Sequence, residues 1–73
     1  MAGTMTHDQF MALAELMRMN PDSKSFAVAH GVMVRGQSIA DAARSADTNY
    51  NAAHQAVNRV RRARDLARTV CGA

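Results

Sequence analysis

Residues 37–57 hold two short helical patterns joined by a tight polar turn, and no other feature constrains the chain as strongly. Two helices that cross steeply at a short turn need a methyl-sized residue where their backbones come closest, and Ala43 stands at that place. Ile39, Ala42 and Ala46 are expected to face inward from the first helix, with Ala53, Ala56 and Val57 facing back from the second. The outer side of the second helix is then left with Tyr50, Asn51, His54, Gln55 and Asn58, nearly all of them hydrogen-bonding residues. In a helix-turn-helix the second helix presents such a face to base edges, so binding of double-stranded DNA is the leading expectation.

A chain of 73 residues supports one domain with a modest core, so a partner subunit is expected to add stability. The single cysteine, Cys71, permits no intramolecular disulfide, which points to a reducing cytoplasm. No apolar run approaches membrane-spanning length, and the start of the chain, with Thr6, His7 and Asp8, lacks a basic segment followed by an apolar one. A cytoplasmic protein with no membrane partner is expected. The net charge of +3 is unevenly distributed. Through residue 56, Arg18, Lys24, Arg35 and Arg44 are outnumbered by Asp8, Glu15, Asp22, Asp41 and Asp47, whereas from Val57 onward Arg59, Arg61, Arg62, Arg64 and Arg68 face only Asp65. Guanidinium groups offer paired donors and shed water readily, which suits phosphate contact.

Residues 1–5 are small or mobile in character and are expected to form a flexible N-terminus. Thr6 and Gln9 have the spacing of a capping box ahead of Phe10, Leu13, Ala14, Leu16 and Met17, so a first helix is expected to run to about Arg18, with Asn20, Pro21 and Asp22 breaking it. Asp22 or Ser23 should cap a second helix containing Phe26, Ala29, His30, Val32 and Met33, ending near Arg35 before a left-handed Gly36. Gln37 and Ser38 open the third. Asn49, or Thr48 as the alternative, caps a fourth, which meets no glycine or proline before Gly72 and either runs into the arginine block or breaks near Val60. The expected fold is therefore all-α, a small helix-turn-helix bundle of four to five helices, with residues 6–70 as one DNA-binding domain and 57–70 as its basic helical segment. Val60, Ala63, Ala67 and Val70, flanked by Leu66, recur along one face; Leu66, Ala67 and Val70 are the expected homodimer contacts. Met11, Met17, Met19 and Met33 are expected to fill the core, and His30 to be a partly buried residue near a helix end.

No enzyme is expected. His7, His30 and His54 fall on different helices, Cys71 is terminal, and Ser23, Ser25, Ser38 and Ser45 lack a base at a recognisable spacing, so neither a metal nor a cofactor site is indicated. The expected base contacts are Gln55, Tyr50, Asn51 and His54. Gln55 can donate to adenine N7 and accept from its N6 amino group, Asn51 and Asn58 can act similarly, His54 can donate to a guanine acceptor, and Tyr50 can pack on a thymine methyl or reach a phosphate. The expected phosphate contacts are Asn49, Asn58, Arg59, Arg61, Arg62 and Arg64.

Three segments in order carry a family resemblance: Phe10, then Ala29, His30, Gly31, Val32, Met33, Val34, Arg35 and Gly36, then Gln55, Ala56, Val57, Asn58, Arg59 and Val60. This resembles the KorA/TrfB-like plasmid transcriptional repressors, with their early Phe, an Ala-Arg-Gly-Val-Leu-Val-x-Gly segment and a Gln-Ala-Val-x-Arg-Val segment. The resemblance implies a helical domain that binds palindromic operators as a homodimer and shuts off promoters on a plasmid, phage or other mobile element. Gln55 matches the family's base-contacting glutamine. Tyr50 stands where the family has a base-contacting arginine, which implies a different operator; His30 replaces another arginine, and Asp47 occupies the turn where glycine is usual. The alternatives are a helical protein-binding adaptor or inhibitor, marked by an exposed Met/Phe patch without basic surface, and a nonspecific nucleic-acid-binding protein.

Overall fold

Each helix begins on a side chain that satisfies free N–H groups of its first turn. In the computed structural model, which describes residues 5–71, Thr6 Oγ1 accepts from the Gln9 N–H at 3.1 Å and Gln9 Oε1 accepts from the Thr6 N–H at 3.0 Å. This reciprocal pair opens α1, His7–Leu16. Ser23 rather than Asp22 opens α2, Lys24–Met33, by accepting from the Phe26 N–H, while the Asp22 N–H is taken by Asn20 Oδ1. Ser38 caps α3, Ile39–Ser45, and Asn49 rather than Thr48 caps α4, Tyr50–Val70, with Oδ1 accepting from the Ala52 N–H at 2.8 Å. The described chain is all-helical, with four helices. α4 continues for 21 residues without a break at Val60, because that valine is itself buried and holds the middle of the helix to the core.

One helix end departs from the expected punctuation, that of α1, while Asp47 and Gly36 take the left-handed conformation at the turns where the sequence placed them. α1 stops before Asn20 and Pro21: Arg18 takes a left-handed φ of 55°, and the Arg18 and Met19 N–H groups return to the Glu15 and Ala14 carbonyls. α3 ends the same way on Asp47, with φ 56°, as the Asp47 and Thr48 N–H groups bond the Arg44 and Ala43 carbonyls. A left-handed residue bearing a Cβ is disfavoured by roughly 1–2 kcal/mol, so these two turns depend on the packing that follows them. The second is also tied down by Lys24, whose Nζ donates to the Asp47 carbonyl at 2.9 Å and so fixes the start of α2 to the α3–α4 turn. After α2 the left-handed position is taken by a glycine, Gly36 at φ 75°.

Phe10 lies fully buried and meets the edges or faces of Phe26 and His30 at ring separations of 5.2 and 5.3 Å, which joins α1 to α2. α2 in turn packs on all three other helices through Val28, Ala29, Val32 and Met33. Gly31 is buried where α2 meets α3; a Cβ there would sit in ordinary contact with Ala42 Cβ, 3.5 Å away, and would displace only the flexible end of the Gln37 side chain. Ala42 and Ala43 from α3 and Ala53, Ala56, Val57 and Val60 from α4 close the core, as expected for the two crossing helices, with Ile39 and Ala46 half-buried at its edge.

Two core expectations change. Met11 stands at the surface, 39% exposed, because it falls on the side of α1 away from Phe10, Leu13 and Ala14. Met5, expected within the flexible terminus, packs on the core and donates its N–H to the Met33 carbonyl at 3.1 Å; the rest of that expectation, residues 1–4, lies outside the described residues. Among the described residues no helix is long and apolar enough to cross a membrane.

Candidate nucleic-acid interface

With α3 packed against one side of α4, the residues that α4 can offer outward follow from about 100° of rotation per residue. Asn51 lies opposite the buried Val60, and Tyr50, Asn51, His54, Gln55 and Asn58 are all exposed. Three of them form a ladder at successive turns. Tyr50 and His54 stack with ring centroids 6.0 Å apart and 22° between planes, and Asn58 Nδ2 donates to His54 Nδ1 at 3.2 Å. With the Asn58 amide donating to Nδ1, the neutral His54 ring carries its proton on Nε2 and can donate from there. Gln55 and Asn51 stand beside this ladder. Asn49 is partly committed: its oxygen caps α4, which leaves only its amide NH₂ for an outside acceptor.

The arginines separate into three groups. Arg62 falls on the same outward side as Gln55, while Arg59 and Arg61 lie about 80° to either side of Asn51, and all three are exposed. Arg64 faces elsewhere. It stands about 40° from Val60, its side chain is 23% exposed, Nε and Nη2 lie 3.4 Å from Asp65 Oδ1, and it forms part of a groove wall with Gln9 and Leu13 of α1. The expected phosphate set thus loses its fourth arginine to the α1 side, a distinction that clustering in sequence does not reveal.

The expected dimer stripe divides for the same reason. Leu66 and Val70 are 54% and 86% exposed, but Ala67 lies only about 20° from Val60 and lines the groove against Leu13 and Leu16 of α1. Val60 is buried and Ala63 packs on the core.

A pairing that the sequence did not suggest brings His7 and His30 together, with Nδ1 of one 3.0 Å from Nε2 of the other across α1 and α2. One proton must lie between the two nitrogens for this contact to be attractive. Burial, then the neighbouring His7 and Arg35, holds the His30 imidazole below the ordinary histidine range. Among the described residues no cluster of three or more His, Cys, Asp or Glu is placed to hold a metal ion.

No family model, curated protein or solved structure matches the chain.

Proposed function

We propose that this protein is a sequence-specific regulator that binds double-stranded DNA, acting as a repressor at a palindromic operator of a plasmid, phage or other mobile element. The observation that carries the proposal is the exposed hydrogen-bonding face of α4, Tyr50, Asn51, His54, Gln55 and Asn58, held out from the core by the crossing of α3. Its width and chemistry suit the major groove, where Gln55 reads adenine and the His54 Nε2 proton meets a guanine acceptor. Arg59, Arg61 and Arg62 supply the charge for phosphates, and Gln55 specificity. The resemblance to KorA/TrfB-like repressors supports the same assignment and the same glutamine.

A two-fold operator calls for two copies. Leu66 and Val70, exposed on the far half of α4, are the apolar contacts we assign to a homodimer, with Ala67 left to the intramolecular groove. The adaptor reading has one observation in its favour, a concavity where the exposed Met11 lies with Met19, Pro21 and the half-buried Phe26, but the arginines exposed along α4 are not what a partner surface without basic charge would carry.

The test is Gln55→Ala, measured on a selected operator and on random duplex at matched salt. A loss of about 1–3 kcal/mol on the operator with little change on random DNA is expected. Equal losses on both would reject base reading by this face.

A further inference from the structure

Besides the face just described, the surface carries a basic cleft. Met17, Arg18 and Met19 after α1, Ser23 at the start of α2, and Ala56 and Arg59 of α4 enclose a concavity of about 140 Å³, room for a phosphate group. Two arginines from distant parts of the chain, Arg18 and Arg59, are among the residues that line it, and among the described residues neither forms an ion pair, in contrast to Arg44 with Asp41 and Arg64 with Asp65. Both arginines are exposed, so solvent screens their mutual repulsion, and an anion placed between them would be attracted by both. Arg18 is moreover a residue that the backbone does not favour: it occupies the left-handed turn, φ 55°, that glycine would occupy without steric conflict.

We propose that Arg18 and Arg59 together clamp one backbone phosphate of the bound duplex. The inference rests on the DNA-binding reading and extends it to α1. A helix lying in the major groove has a sugar-phosphate strand on each side, so side chains well to either side of its outward line are the ones that meet phosphates. Arg59 is in that position, and the end of α1 brings Arg18 to the same flank. The clamp thereby couples the α1–α2 turn to the register of α4 on the DNA, and it uses an arginine that lies far in sequence from the basic block.

Binding of the 73-residue chain to duplex DNA by fluorescence anisotropy, across a salt series, tests it. Arg18→Ala and Arg59→Ala should each weaken binding several-fold, while Arg35→Ala, at the other end of α2, should leave it near wild type. Two arginines on one phosphate release the counterions of one phosphate, so the double variant should lower the slope of log affinity against log salt by about one; two separate contacts would lower it by about two. Arg18→Gly separates folding from binding: it should raise the melting temperature, by relieving the left-handed turn, and still lose the affinity that Arg18→Ala loses. An Arg18→Ala chain that binds like Arg35→Ala, or a double variant whose slope falls by about two, overturns the clamp while leaving the DNA-binding reading in place. A wild-type chain that binds no duplex overturns both.

Discussion

Phe10 is the largest of the side chains, with Leu13 and Ala14, through which α1 joins the core, and its replacement has a calculable consequence. An aromatic side chain of this kind removes about 150–250 Å² from water, which at about 25 cal/mol per Å² corresponds to about 4–6 kcal/mol before relaxation, and measured Phe→Ala changes in cores fall at about 3–5 kcal/mol. Phe10 is completely buried and flanked by Phe26 and His30, so nothing nearby can easily fill its space. A single core of this size supplies only about 3–5 kcal/mol in total. Phe10→Ala is therefore expected to be largely unfolded at 25 °C. Phe10→Leu keeps most of the volume and loses two ring contacts, each of about 0.5–1.5 kcal/mol, so it should remain folded with about 1–3 kcal/mol less stability. Urea unfolding followed by far-ultraviolet circular dichroism measures both. A Phe10→Ala chain that loses less than about 1 kcal/mol would refute the reasoning, since α1 would then lie outside the cooperative unit.

Three further outcomes are expected. Asn49→Ala removes the cap of α4 and should lower stability by about 1 kcal/mol, read from the same urea transitions, whereas Thr48→Ala, which removes no cap, should change it by less. Because the folded His30 binds its proton less readily than the unfolded one, its contribution is fully present above the ordinary histidine range, about pH 6.5, and is lost as the pH falls below it. The melting temperature should accordingly drop between neutral and mildly acid pH, and drop less in His30→Gln; an equal drop in both would remove His30 from the account. Leu66→Asp should give a chain that keeps its helices but sediments as a monomer, and an unchanged dimer would move the interface away from this part of α4.

The helix starts were legible in the sequence because capping is local chemistry: Thr6 with Gln9, Ser23, Ser38 and Asn49 need only the next three residues to act. The stops were less so. Asp47 stands at the turn where glycine is usual, and Lys24 reaches its carbonyl, but Arg18 ends α1 in a conformation that only glycine announces and that long-range packing must hold. The outward face of α4 followed from periodicity once the inward alanines and valines were placed. The fates of Arg64 and Ala67 did not, because they depend on where α1 lies across the C-terminal half of α4. Arg18 and the His7–His30 pair were missed for the same reason, each joining segments more than twenty residues apart.

The central claim, that α4 reads a two-fold DNA sequence, is tested most directly by selecting bound molecules from a library of random duplexes with the 73-residue chain and sequencing them. The account predicts enrichment of an inverted repeat whose half-sites lie about 10 base pairs apart, centre to centre, or a multiple of that spacing. A bound pool no richer in any sequence than the starting library would contradict it.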